Sequence, residues 1–394
     1  MALFFASRGY RVFGVDRDKE KTELLKKGTM PFMEKGADSL LKKHVNKNFF
    51  PVLDYEAVKN SQIIILTLGT PVDSNMDPVY DQINEALEQM VPYFSKDQLL
   101  ILRSTVSPKT TLYVKEFIEK KTKFKIGKNL FLAFCPERIA EGNSLEEIKE
   151  IPQIVGGVDR DSTARAMAFF QDLGIKSFPT DSVSAELAKL FTNMYRYISF
   201  AIANEFMVIA ENFHRNIYEI INLVNRDYKR GGLVLPGLTA GPCLFKDGFF
   251  LINENPFLDL ITASWKINEA LPLFLINKLR ERVKLQNKKV AILGLAFKPE
   301  IDDIRESLSF KFRKALLREH ATVILHDPYV KFYRHQEIIP DLKKALKGVD
   351  VVVIATRHKQ YVKEKDKIIK WLGKKTYVVD VWNIFGTNKL IFRT

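Results

Sequence analysis

The chain has 394 residues, 46% of them hydrophobic and 27% charged, so it is too long for one hydrophobic core and should form two or three domains. No apolar run could span a membrane and no signal-peptide pattern is visible, so we expect a cytoplasmic protein without a membrane partner. Two cysteines are too few for a disulfide framework or a paired zinc site, so we expect no metal. The net charge of +14 rests on scattered lysines rather than a basic, aromatic-lined face, which argues against nucleic acid and fits solvated surface or an anionic substrate.

The first part of the chain alternates apolar runs with amphipathic stretches. The apolar runs end in polar or turn-forming residues, and they are YRVFGVDRD, QIIILTLGTPV, QLLILRSTVSP and NLFLAFCPER. Such runs, separated by helical stretches such as residues 81–94, are typical of buried parallel strands with crossover helices. We therefore predict an α/β domain over residues 1–180.

The middle of the chain predicts one long helix. Residues 182–213 contain no Gly or Pro and keep a helical apolar rhythm over more than the usual helix length. Its apolar residues are better explained by packing, whereas Lys189 and Asn193 stand one turn apart and should project from one face. We assign residues 181–284 to a helical middle domain.

The last part of the chain returns to strands. The runs are KKVAILGLAF, ATVILHDPYV, VDVVVIATRH and KTYVVDVWNIFG. They predict a second, smaller parallel α/β domain over residues 285–394. Ligands bind beyond the carboxyl ends of such strands, where residues 294–307, Asp327, Thr356 and Asp380 fall.

One of the two cysteines lies among small residues. The stretch GLTAGPCLFKDGFFL, residues 237–251, places Cys243 three positions before Lys246-Asp247. Gly, Ala and Pro leave little bulk around such a cysteine, so that backbone or a ligand can come close. From these residues alone, an exposed nucleophile and a tight turn with a structural cysteine both stay open.

Five motifs stand in series over about 200 residues. They are STVSPKTT at Ser104, FCPERIAEG at Phe134, AELAKLFTNMYR at Ala185, GPCLFKD at Gly241 and GLAFKPEIDDIRES at Gly294. In order and spacing they resemble the UDP-glucose/GDP-mannose dehydrogenase family of NAD-dependent nucleotide-sugar dehydrogenases. The resemblance implies an N-terminal Rossmann domain for NAD, a helical middle domain that forms a homodimer or higher homo-oligomer, and a C-terminal α/β domain for a UDP-sugar.

The resemblance also implies a reaction, the four-electron oxidation of a sugar primary alcohol to a carboxylate with two NAD and one water. In that chemistry Cys243 holds the aldehyde as a thiohemiacetal and then as a thioester. Lys189 is implied as the cation that lowers the thiol pKa and stabilises oxyanions, with Asn193 as a hydrogen-bond donor. The base and the residue that orients water are to be found among Asp247, Glu137 and Thr105, and which carboxylate serves in which step stays open.

Contacts to NAD and to the nucleotide sugar are implied in the same way. Asp16, at the end of the second Rossmann strand, should bind the adenosine ribose, and Arg17 beside it leaves some NADP use open. The other implied cofactor contacts are Thr70, Thr105, Glu137, Lys246 and Arg305. The implied substrate contacts are Glu137, Arg138, Lys189, Asn193, Gly241, Phe297 and Lys298, with Lys229 or Arg230 as a basic residue offered to the neighbouring subunit.

The chain departs from the family at its start. It opens with MALFFASRGYRVFGVD, which resembles the helix after the glycine-rich loop followed directly by the second strand. The first strand and the Gly-x-Gly-x-x-Gly loop of a Rossmann domain are not in the sequence. We expect either a true start further upstream or a loss of normal cofactor binding, and favour the first, because losing a central strand would leave backbone groups unpaired.

Other departures bear on the substrate. The segment 240–243 reads Ala-Gly-Pro-Cys where the family often has Gly-Gly-Ser-Cys or Gly-Gly-His-Cys, Lys109 replaces a glycine, and Trp382 lies near an arginine of several relatives. We predict UDP-glucose or a UDP-N-acetylhexosamine, ahead of GDP-mannose. The rival hypotheses are a catalytically impaired member that binds nucleotide sugar or acts as a dimerisation partner, and a dehydrogenase of one hydride transfer, which would give Cys243 no task.

Overall fold

The computed structural model describes residues 1–253, 255, 257–334 and 336–394. The chain divides into two compact units, Met1–Thr192 with Phe249–Pro256 and Asn193–Gly248 with Phe257–Thr394. None of the helices in this described part of the chain combines the length and the apolar character that a membrane span needs. The domain boundaries at residues 180 and 284 stay predictions.

Short strands and helices alternate along most of the chain. The strands are β1 (Val12–Val15), β2 (Phe49–Val52), β3 (Ile63–Leu66), β4 (Leu99–Leu102), β5 (Phe131–Phe134), β6 (Gln153–Gly157), β7 (Ser177–Asp181), β8 (Lys289–Leu293), β9 (Thr322–His326), β10 (Phe332–Tyr333), β11 (Gln336–Glu337), β12 (Val351–Ile354), β13 (Tyr377–Val379) and β14 (Ile391–Arg393). The helices are α1 (Ala2–Ser7), α2 (Lys19–Lys26), α3 (Ala37–His44), α4 (Asp81–Met90), α5 (Thr110–Lys121), α6 (Ser144–Glu150), α7 (Arg160–Asp172), α8 (Ser182–Asn212), α9 (Ile217–Asn225), α10 (Leu244–Asp247), α11 (Phe249–Ile252), α12 (Asp259–Arg280), α13 (Ser309–Arg318), α14 (Leu342–Ala345), α15 (Lys359–Lys363) and α16 (Lys365–Trp371).

The strands of the first unit lie in two sheets. One has the order β3-β4-β5-β6-β7, and the other is the parallel pair β1-β2. In the larger sheet β3, β4 and β5 are parallel, with Leu102 paired to both Leu66 and Phe134, so that their carboxyl ends lie at one edge. Among the described residues β1 pairs with β2 alone and β3 with β4 alone. That a further Rossmann strand belongs to this domain stays a prediction.

The predicted strands of the first unit are confirmed as β1, β3, β4 and β5. All residues of β4 and β5 are buried, as expected for apolar runs covered on both faces. The sequence pattern alone does not predict β2, β6 and β7. Of these, β6 runs antiparallel to β5, whereas repeated βαβ units would predict a parallel strand there.

The second unit contains most of the helical middle and the C-terminal sheet. The long helix is confirmed as α8, which begins in the first unit and continues into the second from Asn193 onward. The sheet has the order β14-β13-β12-β8-β9, and all its pairs are parallel except β13-β14. The four predicted strands are therefore confirmed as β8, β9, β12 and β13. The loops that follow them lie at one edge of the sheet.

Lys109 occupies a backbone conformation that favours glycine. It has φ +72° directly before α5, and its amide donates to Glu186 Oε2 at 2.6 Å. A left-handed conformation costs a non-glycine residue about 1 kcal/mol. Because glycine keeps the amide donor, we expect Lys109→Gly to raise the free energy of unfolding by about 0.5–1 kcal/mol in urea denaturation.

The matched control is Lys115→Gly in the middle of α5. There glycine only weakens the helix, so the free energy of unfolding should fall by about 0.5–1 kcal/mol. A loss of stability in both variants would contradict the assignment of strain to Lys109.

Candidate functional site

The segment that carries Cys243 ends in a short helix. Cys243 caps α10, and its carbonyl accepts the amides of Lys246 at 3.2 Å and Asp247 at 3.0 Å. The Cys243 side chain is exposed, whereas Asp247 is fully buried. Cys243 therefore stands about one helical turn before Asp247 along the chain.

Two donors hold the Asp247 carboxylate. Asn193 Nδ2 donates to Oδ2 at 2.6 Å, and Lys246 Nζ donates to Oδ1 at 3.1 Å. Both oxygens therefore have hydrogen-bond partners, as a buried carboxylate requires. Asn193 lies on α8, one turn after Lys189, so the predicted pair does share a helix face. Asn193 thus contacts Asp247 directly, and the catalytic roles of Asn193, Asp247 and Cys243 stay predictions.

Two glycines let aromatic rings approach the cysteine loop, residues 237–243. A Cβ atom on Gly241, which has φ +109°, would lie 2.6 Å from Phe297 Cδ2. A Cβ atom on Gly237 would collide with the ring of Trp382. Glycine is required at both positions because no side chain fits there. The cysteine loop is thereby fastened to residues that follow β8 and β13.

Buried amides fasten the same loop to α8. Asn204 donates to the Gly237 carbonyl at 3.1 Å and accepts the Gly237 amide at 2.9 Å. Asn204 Nδ2 also donates to Asn268 Oδ1 at 2.9 Å, and Asn268 donates to the Tyr197 carbonyl at 3.0 Å. This network holds the loop in one position relative to the long helix. The motifs in the sequence do not point to this network, although two Asn residues within apolar helices are a visible signal.

The two cysteines have opposite environments. Cys135 follows β5 and is fully buried, and burial raises the pKa of its thiol to about 12. Cys243 is exposed. Since the thiolate is the reactive form, Cys135 is inert at neutral pH, whereas the Cys243 thiol is accessible.

Glu137 lies in an ion pair rather than in open solvent. Its Oε2 accepts Arg103 Nη2 at 2.6 Å, and its Oε1 accepts the amides of Arg138 at 2.9 Å and Ile139 at 3.0 Å. Burial would raise the pKa of Glu137, but the Arg103 guanidinium and these hydrogen bonds hold it below its usual value. Arg103 is itself buried and also donates to Gln153 Oε1 at 2.9 Å. The carboxylate is thus ionised and fixed, and it makes a weak base.

The predicted NAD contacts of the first unit lie at strand ends. Asp16 follows β1, is exposed, and accepts the Asp18 amide through Oδ1 at 2.9 Å. Thr70 and Thr105 follow β3 and β4 and are partly buried. A carboxylate and two hydroxyls that follow parallel strands are groups suited to contact a dinucleotide, and these contacts stay predictions. Arg17 beside it forms an exposed ion pair with Glu85 at 3.4 Å.

The remaining predicted contacts lie in loops of the second unit. Arg305 donates to both carboxylate oxygens of Asp303, with Nε at 3.0 and 2.9 Å. Phe297 and Lys298 are partly buried in the loop after β8. Lys229 and Arg230 are exposed between α9 and α10, with the Arg230 guanidinium 5.2 Å from the centre of the Tyr228 ring.

Comparison with known proteins decides the family. Models of three domains of the UDP-glucose/GDP-mannose dehydrogenase family match the chain, the NAD binding domain over residues 1–173, the central domain over 183–270 and the UDP binding domain over 291–387. The chain belongs to this family. Membership confirms the predicted resemblance, the α/β fold class with a Rossmann-like N-terminal domain, and NAD as the cofactor.

Relatives and solved structures of the family extend over nearly the whole chain. A UDP-N-acetyl-D-mannosamine dehydrogenase of Methanocaldococcus jannaschii is 30% identical over 395 residues, which cover 98% of this chain and 90% of that protein. The structure of UDP-D-ManNAc dehydrogenase from Pyrococcus horikoshii is 30% identical with a TM-score of 0.87, covering 94% of this chain and 90% of that one. A UDP-glucose dehydrogenase structure from Pyrobaculum islandicum is 26% identical with a TM-score of 0.85, covering 96% and 90%.

Membership in the UDP-glucose/GDP-mannose dehydrogenase family confirms the predicted class of reaction, NAD-dependent oxidation of a nucleotide sugar. The individual site residues stay predictions. The sequence motifs do not point to Arg103 and His358. Arg103 directly follows the buried strand β4, and His358 lies four residues after the buried strand β12. Position beyond a parallel strand is the signal that could have pointed to them.

Proposed function

We propose that this protein oxidises a UDP-N-acetylhexosamine to its uronic acid, with UDP-N-acetyl-D-mannosamine as the first substrate to test. The choice of sugar is supported by the names of relatives at 30% and 31% identity, compared with 26% for the UDP-glucose dehydrogenase structure. The observation that carries the proposed chemistry is an exposed cysteine one turn before a buried carboxylate, which an amide and a lysine hold in place.

Cys243 acts as the nucleophile in this proposal. The Cys243 thiolate adds to the carbonyl carbon of the aldehyde, which gives a thiohemiacetal that cannot diffuse away. Loss of a hydride from that carbon gives a thioester, and attack by water releases the carboxylate and restores the thiol. NAD, when bound, accepts one hydride in each oxidation. Lys189 and Asn193, one turn apart on α8, supply a cation and a hydrogen-bond donor to the oxyanions.

Asp247 is the better of the two candidate bases. It lies one turn from Cys243 along the chain, which is the argument for it as the base. Glu137 is held by Arg103, and its lowered pKa makes it a poor proton acceptor. We therefore assign proton transfer to Asp247. Glu137 positions Arg103 and the backbone after it, and Thr105 orients the water.

The substrate panel tests the proposal. With UDP-N-acetyl-D-mannosamine, we expect two NADH for each molecule of acid and no released aldehyde. UDP-glucose should react with a lower kcat/KM, and GDP-mannose should react least. One NADH for each product, or a free aldehyde, would contradict the cysteine route. Binding of the UDP-sugar without any reduction of NAD would favour the impaired member.

We also propose that the protein is a homodimer formed through the exposed face of α8. Tyr195, Ile202, Phe206, Ile209 and Phe213 recur at helical spacing and are all exposed. The last three also line a cavity of about 620 Å³. An apolar stripe and cavity of this size are typical of an interface between subunits. Arg230 lines the same cavity, which supports its assignment as a basic residue offered to the neighbouring subunit.

A charge within the stripe should separate the subunits. We expect Phe206→Asp to shift the protein from dimer to monomer in sedimentation velocity at micromolar concentration, because a carboxylate would be buried without a partner. Leu317→Asp on α13 is the matched control, with 43% exposure against 45% for Phe206, and should remain dimeric. A monomeric wild-type protein, or a dimeric Phe206→Asp variant, would refute the assignment.

A further inference from the structure

The loop after β8 carries two of the predicted nucleotide contacts. This β8 loop, residues 294–300, includes Phe297 and Lys298 at the carboxyl edge of the C-terminal sheet. Its conformation is held by side chains that follow the two strands on either side of β8. These strands are β9 and β12, which pair with β8 in parallel register.

Polar side chains hold the β8 loop on both sides of Phe297 and Lys298. On one side Asp327 Oδ2 accepts the amides of Leu295 at 2.6 Å and Ala296 at 3.1 Å. Thr356 Oγ1 donates to the Ala296 carbonyl at 2.6 Å. On the other side His358 Nδ1 accepts the Glu300 amide at 3.1 Å. The loop is therefore fixed before and after the residues assigned to the nucleotide.

His358 and Asp327 also hold each other. Because His358 Nδ1 accepts from an amide, the ring proton lies on Nε2, which is 3.2 Å from Asp327 Oδ2. Asp327 Oδ1 accepts the amides of Tyr329 at 2.8 Å and Val330 at 3.1 Å. Burial would raise the pKa of Asp327, but the His358 and amide hydrogen bonds hold it below its usual value. Both side chains are buried and all these bonds are shielded from water.

We infer that Asp327 and His358 are positioning residues for the nucleotide, which hold the β8 loop so that Phe297 and Lys298 present one arrangement to it. The inference rests on the proposed function for the assignment of those two residues to the nucleotide. The same loop reaches the nucleophile, because the Phe297 ring lies against Gly241, two residues before Cys243. Asp327 and His358 are both buried, so we assign neither of them a direct contact with the substrate.

The test compares two substitutions at His358, with UDP alone as the probe. His358→Phe fills the volume but leaves the Glu300 amide unpaired, and should raise the Kd of UDP by about 5- to 100-fold in calorimetry. His358→Asn can place an oxygen near the Nδ1 position and should recover most of that affinity. In turnover the effect should appear in KM for the nucleotide sugar, with kcat nearly unchanged. A fall in kcat alone, with unchanged Kd and KM, would overturn the inference.

A second pair of variants covers the case in which His358→Phe does not fold. Thr356→Val removes the hydroxyl that holds Ala296, whereas Thr376→Val removes an equally buried hydroxyl that donates to the Val349 carbonyl, away from the β8 loop. Only the first should weaken UDP binding. Equal Kd values in both variants would overturn the inference.

Hydrogen exchange separates this inference from the proposed function. The amides of Leu295, Ala296 and Glu300 should exchange faster in His358→Phe and Thr356→Val than in the wild type, with or without a nucleotide. If the wild type binds no UDP, the proposed substrate class is wrong. The exchange rates of the three amides still show whether His358 and Thr356 hold the β8 loop. Unchanged exchange at all three amides in folded variants would show that His358 and Thr356 do not position it.

Discussion

Cys243→Ser is expected to lower the rate of acid formation roughly 10³-fold or more. A serine hydroxyl is far less ionised than a thiol at neutral pH, so addition to the aldehyde becomes slow and no thioester forms. The measurement is the uronic acid product and the NADH formed for each nucleotide sugar consumed. UDP binding should stay at the wild-type value, because Gly241 and Phe297 keep their contact.

Cys135→Ala is the control for this prediction. Cys135 is fully buried, and burial raises the pKa of its thiol to about 12, so it has no chemical part to play. Its replacement should lower stability by about 1 kcal/mol and leave acid formation intact. Iodoacetamide at neutral pH should label Cys243 and leave Cys135 unmodified in the folded protein. Full four-electron oxidation by Cys243→Ser would refute the proposed route and favour a dehydrogenase that uses no cysteine.

Asp247→Asn has the second-largest expected effect, a fall in kcat of about 10²- to 10⁴-fold. The substitution keeps the shape of the side chain but removes the charge that Lys246 Nζ faces at 3.1 Å and the group proposed to accept protons. It also turns one acceptor into a donor, so that either Asn193 or Lys246 loses its partner. Single-turnover kinetics should show the loss after substrate binding, with KM changed much less than kcat.

The control for Asp247→Asn is Asp366→Asn at the start of α16. Asp366 is exposed, so the same chemical change should leave kcat at the wild-type value. Thermal unfolding of both variants separates catalysis from folding, because an unpaired buried donor costs about 1–3 kcal/mol. An Asp247→Asn variant that is folded and keeps its kcat would transfer the role of base to Glu137 or to water.

Much of the fold could be predicted from local pattern. Strands such as β4 and β12 are continuous apolar runs bounded by turn residues, and such runs occur where both faces of a sheet are covered. The helix α8 follows from more than thirty residues without Gly or Pro, matching an observed helix of 31 residues. In contrast, no residue of β7 is fully buried, so it has no apolar run to mark it. The direction of β6 depends on its partner strand and not on its own residues.

The candidate site could also be predicted only in part from the sequence. The motif around Cys243 predicts the nucleophile by resemblance, but the sequence does not show which of Cys135 and Cys243 is exposed, because burial depends on what packs over each loop. It offers Glu137 and Asp247 as equivalent bases. The structure gives the two carboxylates different partners, since Glu137 accepts from Arg103, 34 positions away, and Asp247 accepts from Asn193, 54 positions away.

The sequence by itself determined most of the strands, the long helix, the family and its cofactor. These depend on periodicity and on short motifs, which neighbouring residues set. Only the tertiary structure decided which side chain each polar group meets. Asp327 holds the loop after β8, and Asn204 holds the cysteine loop, because packing of separate elements closes long stretches of chain onto one another. Each of these hydrogen bonds joins residues that are far apart in the chain, and each is needed because burial leaves the donor and the acceptor no water to bind.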